Sequence, residues 1–374
     1  MKKISWVSCN SYMDTDLPIV VRLQKYYRIR FIVVISHDST INYQNYINKT
    51  LQNSSNIEVE YFYLKHRLRS PKIISSFYVI IRKAKDFRPD LFYISYQGMP
   101  YALLLYKLML PLNKCIVSCH NVTTPVGATN EKIAIRTTKW WLKSFKNINV
   151  FSKSQESALI SAYTNKKVLY TPFFLKNYGE NKVKVDRVKS RPIRFLSFGN
   201  IVKYKRIDLI IEAANILVDR GVNDFVVRIA GNCGNWGEYN SLIKHPEKFE
   251  LYISRVPNED VPSLFEETHY FLLPYQDIAQ SGSMTVAFNY NVPPIVSDIE
   301  PFKEFIEDGK TGFSFTSQDA TSLANVMQRC INEHEKIYPK LSRALQEFVA
   351  EHYSDKIILD KYKDFFEDLI KTNG

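Results

Sequence analysis

Short apolar runs alternate with stretches in which apolar residues recur every three or four positions along most of the chain. The runs predict buried strands, and the stretches predict amphipathic helices. Because strands that alternate with helices form parallel sheets with right-handed crossovers, this order predicts a doubly wound α/β protein. The predicted strands are 4–8, 31–36, 59–63, 91–95, 115–118, 148–151, 167–170, 193–198, 225–229, 249–253, 270–273, 294–297 and 313–315, and the clearest predicted helices of the first half are 17–27, 73–87, 102–108 and 132–145.

The alternation is interrupted over residues 173–192, where polar residues and lysines replace the apolar pattern. Such a segment is typical of a linker between domains. We therefore predict a first Rossmann-like domain over residues 1–172 and a second over residues 193–353. In doubly wound domains, ligands bind where strands end and helices begin, so the loops at these ends are the candidate functional sites.

Composition narrows the class of protein. The 374 residues, 45% of them hydrophobic, suffice for two domains with cores of ordinary size. No apolar run approaches the roughly 18 residues of a membrane span, and the N-terminus lacks the apolar core and cleavage site of a signal peptide. The five cysteines are scattered, and Cys115 and Cys119 have no second pair to complete a zinc site. We therefore expect a reduced, cytoplasmic protein.

Positive charge is concentrated in the first half of the chain. Residues 1–180 contain 26 lysines and arginines against 10 acidic residues, whereas the remainder contains 24 against 28. This asymmetry favours an anionic partner for the first half, which could be nucleic acid, a phosphate-bearing acceptor or a membrane surface. A solvated basic surface without a partner is the alternative.

Glycines follow two predicted strands of the second half. The strand 193–198 ends at Gly199, and a basic turn leads from there into a predicted helix; the strand 225–229 is followed by Gly231. A glycine lets backbone approach a ligand closely, and lysine near a helix start adds charge where the amides already attract anions. Ser281-Gly282-Ser283 also leads into a predicted helix, over 284–290. Alone, Ser-Gly-Ser is usually a plain turn, but together these loops predict a bound diphosphate.

Three segments carry a family resemblance: FGNIVKYKRIDLIIEA from residue 198, PYQDIAQSG from residue 274 and PPIVSDIEPFKEFIEDGKTGFSF from residue 293. Their order and spacing resemble the nucleotide-binding half of glycosyltransferase family 4, the retaining group 1 glycosyltransferases with the GT-B fold. The resemblance is strong over residues 193–325 and weak in the first half, where it rests on Ser118-Cys119-His120-Asn121 and Phe151-Ser152-Lys153-Ser154. It implies two facing Rossmann-like domains, with a C-terminal helix over residues 354–374 that crosses back to the first.

The resemblance assigns roles to residues of the second domain. It implies that Lys205 neutralises the diphosphate of a nucleotide-sugar donor, while the amides of Gly282 and Ser283 hold the distal phosphate. It also implies that the backbone of residues 255–257 recognises the nucleobase. The implied donor-binding residues are Gly199, Asn200, Lys203, Lys205, Gly231, Arg255, Val256, Pro257, Tyr275, Gln280, Ser281, Gly282, Ser283 and Glu304.

Two departures from the family pattern affect this assignment. Asn200 stands where the family usually has arginine, so Lys203 or Arg206 could supply the missing charge. Ile278 and Val286 stand where many members have a pair of glutamates. The carboxylates that could replace this pair are Asp277 and Glu304.

Candidate catalytic residues of the first domain are His120, Asp14 and Asp16. A lone histidine is usually structural, but His120 follows the strand 115–118 and matches the family histidine. The resemblance implies that it hydrogen-bonds to the transferred sugar and is not a general base. The two aspartates follow the first strand and could bind acceptor hydroxyls or take a proton. Helix capping explains them equally well.

Two basic features of the first half bear on the acceptor. A cationic loop spans residues 65–72, and the predicted helix 132–145 repeats basic residues every three or four positions among apolar ones. Such a helix suits an anionic membrane interface, although an amphipathic helix docked on the sheet would show the same pattern. The predicted membrane or acceptor contacts are Lys65, Arg67, Arg69, Arg136, Lys139, Trp140 and Lys143.

Together with these features, the resemblance implies an enzyme that transfers a hexose from a nucleotide-diphosphate sugar to a glycan hydroxyl, with retention, in the synthesis of cell-surface polysaccharide. The expected partners are this donor, a glycan or lipid-linked glycan acceptor and an anionic membrane surface. Neither a metal ion, nor another cofactor, nor nucleic acid is expected. A nucleotide-sugar epimerase of the same fold is one alternative, which the missing glutamates disfavour. A nucleic-acid-binding protein is a weaker one, because basic and aromatic residues suit single strands but no recognition module appears.

Overall fold

The computed structural model describes residues 1–36, 43–67, 70–95, 99–123 and 131–373. Within these residues the chain forms two compact α/β units. The first unit contains the described residues up to Phe174 together with those from Asp355 onwards, and the second contains Leu175–Ser354.

The first unit is built on a sheet of seven parallel strands. These are β1 (Lys2–Cys9), β2 (Tyr27–Ile35), β3 (Ile57–Tyr63), β4 (Leu91–Ile94), β5 (Cys115–Ser118), β6 (Asn147–Val150) and β7 (Lys167–Tyr170), in the spatial order β3-β2-β1-β4-β5-β6-β7. The strand order reverses between β1 and β4, which is where doubly wound sheets place their ligands. The helices are α1 (Met13–Leu23), α2 (Tyr43–Thr50), α3 (Ile73–Asp86), α4 (Pro100–Met109), α5 (Glu131–Ser144), α6 (Lys153–Ala162) and α13 (Asp355–Asn373).

The second unit repeats the design with six parallel strands. They are β8 (Ile193–Phe198), β9 (Phe225–Ala230), β10 (Phe249–Tyr252), β11 (Tyr270–Leu273), β12 (Pro294–Ser297) and β13 (Phe313–Phe315), in the order β10-β9-β8-β11-β12-β13. Here the order reverses between β8 and β11, so the loops after these two strands flank the switch point. The helices are α7 (Ile207–Asp219), α8 (Gly237–Asn240), α9 (Val261–Glu266), α10 (Gly282–Asn289), α11 (Ala320–Asn332) and α12 (His334–His352).

The central strands are covered on both faces. In β2, Ile29, Phe31 and Val33 belong to one buried apolar cluster, whereas Ile32 and Val34 belong to another. Successive side chains of a strand point to opposite faces, so a strand with helices on both sides is apolar throughout. This explains why the strands appear in the sequence as continuous apolar runs.

The predicted fold is confirmed: two parallel, Rossmann-like sheets form, and each predicted strand is present with shifts of a few residues at its ends. The starts of β2 and of helix α1 differ most, each by four residues. This helix begins at Met13, four residues before the predicted start, and places Asp14 and Asp16 in its first turn. Acidic residues are favourable there because of the helix dipole. None of the described helices is long and apolar enough to cross a bilayer.

Helix α13 forms part of the core of the first unit. The hydroxyl of Tyr362 donates to Asn149 Oδ1 at 3.0 Å and accepts from Thr171 Oγ1 at 3.0 Å. Tyr93 donates to the same Asn149 oxygen at 2.5 Å, and all four side chains are buried. The C-terminal helix is therefore held by a satisfied hydrogen-bond network as well as by apolar contacts.

Residues 175–192, most of the predicted linker, are hydrogen-bonded to the second unit. Arg187 donates to the carbonyl oxygen of Tyr290 at 3.1 Å, and the ring of His334 donates from Nε2 to the carbonyl oxygen of Arg187 at 2.7 Å. Ser190 Oγ lies 2.9 Å from Nε2 of the buried His269. Burial lowers the pKa of His269 to about 3, so this ring is neutral. The polar side chains of this segment thus hold it against the rest of the second unit.

Candidate functional site

The carboxyl ends of β8 and β9 meet at two glycines. The amide of Gly199 donates to the carbonyl oxygen of Ala230 at 2.9 Å, and Gly231 follows at the end of β9. A Cβ added to Gly231 would lie 2.0 Å from the carbonyl oxygen of Gly199, which leaves no space for a side chain. Gly199 has φ of +105°, a conformation that side chains disfavour. Both positions therefore require glycine.

Lys205 lies over this glycine corner. It ends a short 3-10 helix, Lys203–Lys205, just before α7. Its Nζ would be 3.1 Å from a Cβ on Gly199, and it is 5.3 Å from the centroid of the Tyr275 ring. Burial lowers the pKa of Lys205, and none of the described carboxylates forms an ion pair with it. A largely buried cation without a counter-ion favours the binding of an anion.

Tyr275 connects Lys205 to the start of α10. The Tyr275 hydroxyl lies 3.1 Å from Ser283 Oγ, which is 3.1 Å from Ser281 Oγ. The Ser281 hydroxyl in turn accepts from the amide of Met284 at 3.1 Å and caps the helix. The first amides of a helix lack intrahelical partners and attract anions. The structure thus brings Gly199, Gly231, Lys205, Tyr275, Ser281, Gly282 and Ser283 to one locus.

The other predicted donor residues lie around this locus with different exposure. Arg255, Val256 and Pro257 follow β10 at the carboxyl end of the sheet, where only Val256 is half-buried. Gln280 and Glu304 are half-buried. Ile278 and Val286, at the positions of the family glutamates, are buried in the apolar core.

The two cations expected to replace the missing arginine differ in their surroundings. Arg206 is held by Asp208, with its Nε 2.9 Å and its NH2 group 2.7 Å from Asp208 Oδ2. Its charge is therefore already compensated. Lys203 and Asn200 are exposed.

Sequence reasoning missed a further lysine at the start of α10. The Nζ of Lys176 would be 3.3 Å from a Cβ on Gly282. Lys176 belongs to the predicted linker, and only the basic composition of that segment distinguished it. No motif indicated that this lysine reaches the helix.

In the first unit, His120 follows β5 and is stacked among aromatic rings. Its ring is 4.3 Å from that of Tyr12 and nearly parallel to it, and it is 4.7 Å from that of Phe151. Burial lowers the pKa of His120 to about 3. The imidazole is therefore neutral, and it can donate or accept a hydrogen bond without being a strong base.

The two predicted aspartates have opposite environments. Asp16 is fully buried, and burial raises its pKa to about 6. Asp14 is exposed. Because the carboxyl of Asp16 is closed to solvent, only Asp14 remains available to an acceptor hydroxyl. Neither aspartate caps α1, since Tyr12 occupies the N-cap position.

The predicted basic contacts lie on the surface of the first unit. Lys65 and Arg67 are exposed after β3, and Arg69 lies outside the described residues. In α5 the apolar residues divide between two faces: Trp141 is buried, whereas Trp140 is 48% exposed. The basic residues on the exposed side of this helix are Arg136, Lys139 and Lys143.

Metal binding has no support among the side chains that the structure describes. Within residues 1–36, 43–67, 70–95, 99–123 and 131–373, no three histidine, cysteine or acidic side chains are grouped as around a metal ion. Metal-independent chemistry stays a prediction.

Comparison with known proteins agrees with this geometry. Residues 180–348 match the family model of the group 1 glycosyl transferases. This part of the chain is similar to the group 1 glycosyl transferases. The matched residues contain the whole locus around Lys205, whereas Lys176 lies just before them. Membership of family 4 stays a prediction, and none of the curated proteins compared with the chain matches it.

Solved structures of similar fold span the whole chain. A glycosyltransferase from Rickettsia africae has a TM-score of 0.75 at 15% identity, covering 100% of this chain and 99% of its own. HepE from Anabaena, in complex with UDP, has a TM-score of 0.72 at 15% identity, and the match covers 98% of this chain and 100% of HepE. The lipopolysaccharide outer core galactosyltransferase WaaB has a TM-score of 0.65 at 13% identity, and the match covers 97% of this chain and 98% of WaaB. These likenesses show the GT-B fold.

The contact between the two glycines predicts a position-specific loss of stability. Gly231→Ala should lower the free energy of unfolding by about 2 kcal/mol or more, because the new Cβ overlaps the Gly199 carbonyl. Gly234→Ala is the matched control, since a Cβ there meets nothing within 4 Å. Urea unfolding measures both variants, and equal midpoints would show that the strand ends are not in contact.

Proposed function

We propose that this protein transfers a hexose from a nucleotide-diphosphate sugar to a hydroxyl group of a glycan, with retention and without a metal ion. The observation that carries the proposal is the position of Lys205. This cation is largely buried, none of the described carboxylates pairs with it, and it lies beside Gly199 and the Tyr275 ring, whose hydroxyl is 3.1 Å from Ser283 Oγ in the first turn of α10. An anionic group of two phosphates would satisfy both features at once.

The proposed chemistry requires stabilisation of a leaving group. As the bond between sugar and phosphate breaks, negative charge increases on the departing diphosphate. Lys205 and the amides at the start of α10 are fixed before the reaction, so they stabilise that charge without reorganisation. Burial strengthens each of these interactions relative to water. The site therefore stabilises the transition state, in which the diphosphate departs, more than it stabilises the bound donor.

The proton of the acceptor hydroxyl needs a base. A histidine with a pKa of about 3 is a weak base at neutral pH, which makes His120 unsuitable. We propose that the departing phosphate takes this proton on the same face, consistent with retention. A hydrogen bond from His120 to the sugar stays a prediction. The epimerase alternative lacks support, because Ile278 and Val286 are buried in the core and provide no acid or base.

The nature of the acceptor is part of the proposal. The similar fold of WaaB, a lipopolysaccharide galactosyltransferase, supports a lipid-linked glycan, and HepE was solved with UDP, which supports a uridine donor. Both inferences rest on likeness of fold. We accordingly place the protein in the synthesis of surface polysaccharide.

We propose a peripheral position on an anionic membrane, which the surface of α5 supports. Ile133 and Trp140 are each 48% exposed beside the basic residues of this helix. The neighbouring α4 adds Leu104 and Leu108, which are 57% and 74% exposed. Exposed apolar side chains among lysines suit a surface that enters the headgroup region. A lipid-linked acceptor would be available there.

Binding of nucleoside diphosphates tests the function. UDP, GDP and ADP should be compared by thermal shift, and at a hundred times Kd the stabilisation should be about 2.7 kcal/mol. Lys205→Met should abolish the shift because it removes the buried charge. The same variant should melt no lower than the parent without ligand, since burying an unpaired cation costs free energy.

Lys336→Met is the control for this experiment, because Lys336 is an exposed lysine of α12 that is not among the predicted donor-binding residues. It should retain the shift of the parent. A full shift in the Lys205 variant, or none with any diphosphate in the parent, would contradict the proposal.

Charge reversal on α5 tests the membrane proposal. Lys139→Glu combined with Lys143→Glu should weaken binding to vesicles containing phosphatidylglycerol by at least tenfold, at about 1 kcal/mol for each lysine removed. The double variant Lys25→Glu and Lys49→Glu is the control, because it changes the net charge by the same amount at exposed positions outside α5. Sedimentation that is equal for the two double variants would reject a specific role for α5.

A further inference from the structure

Arg206 connects the short helix that bears Lys205 to α7. It is the C-cap residue of the helix Lys203–Lys205 and the N-cap residue of α7. Its amide donates to the carbonyl oxygen of Lys203 at 3.1 Å, and its own carbonyl oxygen accepts from the amide of Leu209 at 3.1 Å. Because the two helices meet at this one residue, its backbone conformation determines how Lys205 is directed relative to α7.

The backbone conformation of Arg206 is left-handed, with φ of 50° and ψ of 50°. A residue with a Cβ is strained in this region, whereas glycine adopts it readily. Strained backbone persists only where the surrounding contacts hold it, and it is concentrated at functional sites. Arg206 therefore needs contacts that keep it in this conformation.

The side chain of Arg206 makes such contacts with the first turn of α7. Its Nε lies 3.1 Å from Asp208 Oδ1 and 2.9 Å from Oδ2, and its Nη2 lies 2.7 Å from Oδ2. The third nitrogen, Nη1, donates to Gln318 Oε1 at 3.3 Å. Charge-assisted hydrogen bonds from a guanidinium to a carboxylate are strong and specific in geometry. Each nitrogen of this guanidinium thus has a partner within the second unit.

We propose that Arg206 and Asp208 are positioning residues, which as a pair hold the left-handed turn that follows Lys205. Neither residue contacts the diphosphate in this proposal. The inference rests on the proposed function and adds to it the means by which the buried lysine is kept in place. The Nζ of Lys205 would be 3.1 Å from a Cβ on Gly199 and is 5.3 Å from the centroid of the Tyr275 ring, so a small change in the turn would displace it.

A second contact holds the other side of the short helix. The amide of Gln276, in the loop after β11, donates to the carbonyl oxygen of Tyr204 at 2.8 Å. The ring of Tyr204 also packs edge-on against that of Tyr275, with 5.7 Å between the centroids. Lys205 therefore lies between two attachments, one to the loop after β11 and one, through Arg206, to α7.

Two other roles for these residues predict different effects of mutation. If Arg206 supplied positive charge to the ligand, its removal would weaken binding whichever small residue replaced it. If Asp208 acted only by repelling the anion, removal of its carboxylate would strengthen binding. In the positioning role, binding depends on whether the residue at position 206 can adopt the left-handed conformation.

The test measures the affinity of the full chain for a nucleoside diphosphate, the one of UDP, GDP and ADP that gives the largest thermal shift. Arg206→Ala should weaken binding about fivefold or more, because alanine is strained in the left-handed turn. Arg206→Gly removes the same charge but adopts the turn readily, so its affinity should be within about twofold of the parent. Asp208→Ala should weaken binding about fivefold or more, although it removes a negative charge.

Glu212→Ala is the matched control for Asp208→Ala. It removes the same charge at an exposed position one turn further along α7 and should bind like the parent. The double variant Arg206→Gly and Asp208→Ala should regain an affinity within about twofold of the parent, because glycine needs no carboxylate to hold the turn.

Equal affinities of Arg206→Ala and Arg206→Gly would overturn the inference, as would unchanged or stronger binding by Asp208→Ala. If the parent binds no diphosphate, or Lys205→Met binds it normally, the proposed function fails as well. If Lys205→Met loses binding while Arg206→Ala binds like the parent, only the positioning role is wrong.

Discussion

The candidate site depends on one steric constraint, the backbone contact between the ends of β8 and β9. Without side chains at positions 199 and 231, these strand ends come together and leave an open surface beside the switch point of the second sheet. Lys205 covers that surface from the turn that follows. Tyr275, from the loop after β11, then connects it to the capped start of α10. One close contact therefore fixes the relative positions of three loops.

Electrostatics follow from this geometry. Lys205 is enclosed by a tyrosine ring and backbone, and no described carboxylate compensates it. Burying this charge costs free energy, and a lysine with a purely structural role would be expected to have a partner that offsets this cost. The arrangement is therefore consistent with a site for an anionic ligand. The histidines His269 and His334 show the contrast. Both are neutral, hydrogen-bonded on both ring nitrogens and devoted to holding residues 187–194.

The first unit uses its buried polar groups differently. Asn149 joins Tyr93 and Tyr362, so the C-terminal helix depends on a network in the centre of the sheet. Asp16 is likewise internal, with hydroxyl groups and an indole around it. Burial raises the pKa of this carboxyl group, because the ionised form is less favourable away from water. Its burial moves the candidate acceptor contact to Asp14, on the exposed side of the same turn.

Most of the fold could be predicted because parallel strands covered on both faces are continuous apolar runs. The strand-end glycines and the cap at Ser281 could also be predicted, because each is determined by the local backbone conformation. Three features could not be predicted, of which one is local and two depend on tertiary contacts. The pairing of Arg206 with Asp208 follows from the left-handed conformation of Arg206 at φ 50°. The inward turn of Trp141 and the approach of Lys176 to Gly282 follow from packing between distant segments.

The most direct test is an experimental structure of the protein with a bound nucleoside diphosphate. We expect phosphate oxygens within hydrogen-bonding distance of Lys205 Nζ and of the amides at the start of α10. A diphosphate bound elsewhere, with Lys205 still enclosed by Tyr275 and without an anionic partner, would contradict the assignment of this locus.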